Sequence, residues 1–198
     1  MRNAIPEIYA GKGKGDFARV GRGLVILTDG LQQRIGQEKL HQCVRSLEAL
    51  ILPETGRTQK NFVHRCQTFA KPGTAAAKIL DEAFEMRSDA EHIHDFERSL
   101  SEHDVSKRND VAFHRTRQME ALASFAYSRV LREANIRANF KDEVVLGDFW
   151  KKPDDAKKSV WGAPFDLESI PFVDNYDGFD RAQQSRIVKS AIVILSLW

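Results

Sequence analysis

Apolar side chains recur every three or four positions through roughly the first 140 residues, which is the pattern of amphipathic helices. The pattern predicts a helix over about 16–34, capped by Asp16, and a second over 37–52, which Pro53 ends. Three more helices are predicted over 58–70, from 74 to 92 or 94, and over 111–139. Their apolar faces predict one shared core that contains Leu47, Ile51, Leu80, Ala83, Leu122 and Ala126.

After residue 140 the helical periodicity weakens. A mixed segment over 143–150 and the prolines Pro153, Pro164 and Pro171 predict an irregular stretch, followed by a last helix over about 180–197. Five or six helices with short connections predict an all-α fold, an antiparallel helical bundle. We expect residues 1–140 to form this bundle and residues 141–198 to be a C-terminal extension packed on it.

Composition narrows the class of protein without naming a function. The 198 residues are 42% hydrophobic and carry a formal net charge of only +2, which excludes an intrinsically disordered chain. The longest apolar run, 191–197, is too short to span a bilayer, and the first residues do not resemble a secretory signal. That run therefore predicts no membrane partner. Cys43 and Cys66 form no CxxC pair, so we expect reduced, buried thiols and a cytoplasmic location.

One charged residue falls where the pattern predicts burial. Arg87 lies in line with Leu80 and Ala83 on the apolar face of the fourth predicted helix. A guanidinium there is costly unless it is paired or opens onto a site, and Glu48, beside the apolar stripe of the second helix, is the expected partner. His92 and His94 follow within seven residues, whereas the other four histidines are interpreted as structural or exposed.

The segment over 40–95 resembles the HEPN (higher eukaryotes and prokaryotes nucleotide-binding) family, in particular its Apea-like branch. One matching feature is the apolar helix Val44-Arg-Ser-Leu-Glu-Ala-Leu-Ile51, and the other is the run Met86-Arg-Ser-Asp-Ala-Glu-His92, which has the family's spacing of Arg, four to six residues, His. The resemblance implies a dimeric, metal-independent endoribonuclease, possessing no cofactor, whose paired Arg and His residues line a cleft. It implies Arg87, His92 and His94 as the catalytic candidates, with Glu48, Ser88 and Asp89 in support.

Charge and ligand types leave other interpretations open. Residues 81–104 contain nine acidic side chains and two arginines, and this net charge of −7 repels RNA. Residues 112–141 carry a net charge of +4 and offer either an RNA contact or internal ion pairs.

The residue types near Arg87 also allow a metal site. Asp89, His92, His94 and Asp95 are metal-ligand types, yet no further ligand pair has a recognisable spacing, so no metal is expected. The alternative function is a catalytically silent HEPN-type module that binds RNA, a nucleotide, or a partner such as an antitoxin or another defence protein.

Overall fold

The computed structural model describes residues 15–34, 36–91, 96 and 98–173, and every regular element within these ranges is helical. The predicted all-α class is therefore confirmed, with eight α-helices in the described residues. In chain order α1 to α8 span Ala18–Gln32, Gly36–Ile51, Thr58–Cys66, Thr74–Glu91, Arg108–Arg132, Ala134–Arg137, Glu143–Lys151 and Asp154–Trp161. Short 3-10 turns occupy Val105–Lys107, Ala138–Phe140 and Leu167–Ser169. The helix predicted over 180–197 lies outside the described residues.

The core of the bundle forms around α2, which packs against α1, α4 and α5. All six residues predicted for the core are fully buried there, so this prediction is confirmed. Both cysteines are buried free thiols, as predicted. Close packing of α1 on α2 and α5 requires a glycine, because a Cβ at Gly23 would lie 1.9 Å from the Tyr127 hydroxyl, which donates to Ser46 O.

Several helix ends differ from the predicted ones, and the backbone conformation shows why for two of them. Asp16 does not cap α1: Phe17 takes the cap position with φ of 61°, and its N–H donates to Lys141 O at 2.6 Å. The third helix ends at Cys66, four residues early. The long helix α5 ends at Arg132, because Glu133 is extended with φ of −103° and ψ of 108°, and α6 follows directly.

The C-terminal extension is more regular than predicted, because α7 and α8 fill most of 143–161. Asp142 caps α7 by accepting from the N–H groups of Val144 and Val145. Pro153 immediately precedes α8, where a missing N–H costs no helical hydrogen bond. The prolines therefore mark a helix start and the loop beyond it, and the two helices over 143–151 and 154–161 were not predicted.

The described part of the extension packs on the bundle through tryptophans and a backbone pairing. Trp150 Nε1 donates to Leu50 O at 3.1 Å, and Trp161 is fully buried with its ring 4.8 Å from that of Phe69. The isolated bridge between Ala70 and Phe165 adds two backbone hydrogen bonds. In the described ranges no helix is both long enough and apolar enough to cross a membrane.

Candidate functional site

The candidate site lies near the carboxyl end of α4, where Arg87 occupies the apolar face that its spacing predicts. The Arg87 side chain is 18% exposed, so the guanidinium sits at the edge of the core rather than inside it. The Phe84 ring lies 5.6 Å from Arg87 Cζ and backs the guanidinium on one side. A cation in this partly desolvated position needs charged partners, and two carboxylates supply them.

Arg87 is held between carboxylates from two helices. Arg87 Nη2 donates to Glu48 Oε2 at 3.2 Å, so the pairing predicted from the sequence is present. Arg87 Nη1 donates to Glu91 Oε2 at 2.7 Å, one helical turn further along α4. Two carboxylates on different sides fix the plane of the guanidinium more firmly than one would.

A histidine completes the cluster, which we call the Arg87 group: His41, Glu48, Arg87 and Glu91. His41 Nε2 lies 3.2 Å from Glu91 Oε1, so Glu91 bridges Arg87 and His41. Sequence reasoning left His41 and Glu91 out of the site. The spacing contained usable signals, because Glu91 is four residues after Arg87 and His41 is seven residues before Glu48, each on the same helix face.

The Arg87 group contains more carboxylate than fixed positive charge. Burial raises the pKa of Glu48 above its ordinary value, the Arg87 guanidinium opposes this rise, and the Glu91 carboxylate reinforces it. Desolvation therefore outweighs the attraction of the arginine at this carboxyl group. Two carboxylates therefore face the Arg87 guanidinium, while Arg45 and His41 lie close enough to oppose the rise in the Glu48 pKa.

The remaining predicted site residues are divided between described and undescribed parts of the chain. Ser88 is half-buried, and Asp89 is buried, with Oδ2 lacking a hydrogen-bond partner among the described residues. His92 and His94 lie outside the described residues. The structure thus brings Arg87 and Glu48 together, and the roles of the two histidines stay predictions.

The metal interpretation involves the same undescribed segment. Within the part of the chain that the structure describes, no three His, Cys, Asp or Glu side chains are placed to hold a metal ion. Of the residues that suggested a metal, only Asp89 is described, since 92–95 lie outside the described ranges.

A second polar cluster was not predicted. This Arg115 group consists of Glu82, His103, Arg115 and Gln118, which join α4, the 98–107 segment and α5. Arg115 donates from Nε to Glu82 Oε2 at 2.7 Å and from Nη1 to Gln118 Oε1 at 2.9 Å. His103 Nε2 lies 2.9 Å from Glu82 Oε1, and Gln118 Nε2 donates to Leu167 O. The Arg115 group therefore ties the bundle to the extension.

Most arginines of the basic 112–141 segment contact carboxylates or backbone oxygens of the same chain. Arg115 pairs with Glu82 of the acidic segment, and Arg129 pairs with Glu133. Arg117 and Arg137 donate to the backbone oxygens of Pro171 and Leu131. These contacts favour the expectation of internal ion pairs over that of a free basic face for this segment.

Comparison with protein-family models, curated proteins and solved structures finds no significant match to this chain. The resemblance to the HEPN family therefore stays a prediction from the two sequence features over 44–51 and 86–92.

Proposed function

We propose that the protein is a HEPN-like, metal-independent endoribonuclease that acts as a dimer, with Arg87 and His92 as the catalytic pair and His94 as the reserve for the second role. The observation that supports the proposal most is the state of Arg87. A guanidinium has five N–H donors, and the contacts to Glu48 and Glu91 account for two of them. Arg87 is thus held in one orientation, and because its Nε is buried, the donors left for a phosphate are the second N–H groups of Nη1 and Nη2.

The chemistry suits these residue types. Cleavage by the RNA 2′-hydroxyl requires a group that moves protons, and a histidine with a pKa of about 6.5 serves at neutral pH. It also requires a fixed cation on the pentacoordinate phosphorus, which an arginine supplies through two hydrogen bonds. The 2′-hydroxyl restricts the reaction to RNA.

A dimer would bring two copies of the proposed catalytic residues into one cleft. One copy of the motif supplies one arginine and one catalytic histidine, whereas a two-fold interface near the end of α4 brings two of each to a single cleft. We expect a dimer in sedimentation velocity at tens of micromolar. A monomer under these conditions argues against a shared site.

The assay incubates the full chain with single-stranded RNA in EDTA. We expect cleavage by wild type and its loss in Arg87→Ala and His92→Ala, with His94→Ala tested in parallel. Arg87→Lys separates charge from geometry, because lysine keeps the charge but loses the planar fork. Arg98→Ala is the matched control, since Arg98 is an exposed arginine of the same acidic segment.

Two results oppose the proposal in different ways. Cleavage that persists in Arg87→Ala and in both histidine variants assigns the activity to a contaminant or another site. Cleavage that disappears only on chelation favours a metal site built from Asp89, His92, His94 and Asp95. Both outcomes require folded variants, which circular dichroism verifies.

The second candidate function is a catalytically silent HEPN-type module that binds RNA, a nucleotide, or an antitoxin or defence partner. It is favoured by the two carboxylates on Arg87, which are typical of a structural arginine and disfavour an incoming phosphate. If the folded wild type cleaves no RNA, this candidate replaces the first. Fluorescence anisotropy with labelled RNA then distinguishes an RNA-binding module from one that binds protein.

A further inference from the structure

His41 is the member of the Arg87 group that has no direct contact with Arg87, and the Glu91 carboxylate links the two side chains. Its ring Nε2 lies 3.2 Å from Glu91 Oε1, while Glu91 Oε2 accepts from Arg87 Nη1 at 2.7 Å. The three side chains therefore form a relay from α2 through Glu91 to Arg87. The His41 side chain is 13% exposed, so most of its surface is removed from solvent.

Glu91 needs this second contact because of where it lies. It is the last residue of α4, and its side chain is 35% exposed, the largest exposure in the Arg87 group. A glutamate at a helix end has several rotamers open to solvent, and ordering it costs conformational entropy. A hydrogen bond from His41 selects the rotamer that also faces Arg87.

We propose that His41 is a positioning residue for Arg87, acting through Glu91. When His41 donates to Oε1, Oε2 is directed at the guanidinium, and Arg87 is held between Glu91 and Glu48. Without the donor, Glu91 turns towards solvent, and Glu48 alone holds the guanidinium through Nη2. His41 makes no contact with RNA in this role, and the role requires a donor at this position, not a positive charge.

The inference rests on the proposed function only for its consequence in catalysis, because the relay itself is measurable without RNA. The direct readout is the rotation rate of the Arg87 guanidinium about the Cζ–Nε bond, followed by nitrogen-15 NMR of the full chain. We expect His41→Leu to accelerate this rotation about tenfold or more, which corresponds to the loss of one charge-assisted hydrogen bond. His41→Gln keeps an N–H donor and is expected to restore most of the slow rotation.

His64→Leu is the matched control. His64 Nε2 lies 3.3 Å from Asp154 Oδ2, which is the same kind of contact at nearly the same length, on an exposed face and outside the Arg87 group. We expect this substitution to leave Arg87 unchanged. Glu91→Gln is the second disrupting variant, since it removes the bridging charge without changing a side chain of α2, and it too should accelerate the rotation.

The RNA assay then separates the two claims. In an active protein, the cleavage rate should fall in His41→Leu and recover in His41→Gln, with both variants equally folded. If no variant cleaves RNA but His41→Leu still frees Arg87, the proposed function fails and the positioning role stands. If Arg87 rotates as slowly in His41→Leu as in wild type, the positioning role is wrong, whatever the assay gives and whatever Glu91→Gln does.

Discussion

The two arginine groups along α4 use similar side chains in different settings. Each combines an arginine, a glutamate and a histidine from different parts of the chain. In the Arg115 group, the Glu82 and Arg115 side chains are 9% and 10% exposed. In the Arg87 group, Glu91 is 35% exposed and two carboxylates share one guanidinium. The first group is a cross-link inside the core, whereas the second lies where the core meets solvent.

Hydrogen-bond satisfaction separates the two groups further. Among the described residues, the buried side-chain atoms without a partner are Arg87 Nε, Asp89 Oδ2 and Trp161 Nε1. Two of the three are in the Arg87 group or two residues from it, and none is in the Arg115 group. Buried polar atoms are normally paired, and each unpaired one calls for a specific explanation. The Arg115 group contains no buried unpaired atom, as expected of a structural cross-link, whereas the Arg87 group contains one.

The largest effect is expected from breaking the Arg115 group. Arg115→Leu removes the fixed cation that faces the buried Glu82 carboxylate and leaves that carboxylate with His103 and the more distant Lys78. An unbalanced buried charge is strongly destabilising, so we expect a loss of about 3 kcal/mol in the free energy of unfolding.

Urea denaturation of Arg115→Leu and wild type measures this loss. Arg117→Leu is the control, because Arg117 is two residues away on α5 but donates to a backbone oxygen at an exposed position. A loss below about 1 kcal/mol for Arg115→Leu would mean that the Arg115 group is no more structural than an ordinary surface pair.

A smaller effect is expected at the Arg87 group. Glu48→Gln removes a carboxylate whose desolvation already outweighs its attraction to Arg87, and Glu91 remains as a partner. We expect a loss of about 1 kcal/mol or less, since neutral replacement of a poorly compensated buried charge is often close to neutral. A thermal melt beside Arg115→Leu compares the two directly, and equal losses would remove the distinction between the groups.

The Arg87–Glu48 pair could be predicted from the sequence, whereas the Arg115 group could not. Arg87 interrupts an apolar stripe, which makes its burial visible, and Glu48 borders the stripe of a neighbouring helix. Arg115 also interrupts an apolar stripe, between Val111 and Met119 on α5, but its partner Glu82 is 33 residues away. Which carboxylate meets Arg115 depends on how α4 packs on α5, and helical periodicity alone does not specify that packing.

The extension shows the same limit. Helices α7 and α8 are nine and eight residues long and show few turns of a 3.6-residue period, although α3, also nine residues long, was predicted. They are stabilised by tertiary contacts, chiefly Trp150 on the end of α2 and Trp161 on Phe69. The core prediction succeeded because α2 and α4 are long enough to show their stripes.

The smallest expected effect is on how the free energy of unfolding depends on pH. Glu48 and Glu102, which pair with residues near opposite ends of α4, should change it in opposite directions. The pKa of Glu48 is raised in the folded protein, chiefly by burial, so the folded state holds this proton more tightly than the unfolded state. The stability that Glu48 contributes is therefore present below its unfolded pKa of about 4.5 and is lost as the pH rises through the folded pKa. Relative to Glu48→Gln, wild type should lose stability as the pH rises above about 4.5.

Glu102 provides the opposite case near the Arg115 group. Its hydrogen bond from Lys78 lowers its pKa, so its contribution is present above the unfolded pKa and is lost as the pH falls. Glu102 is exposed, and water screens the pair, so the change should be slight. Urea denaturation of wild type, Glu48→Gln and Glu102→Gln at pH values on both sides of about 4.5 checks both signs. If Glu48→Gln and wild type differ by a constant amount at every pH, Glu48 does not titrate differently on folding.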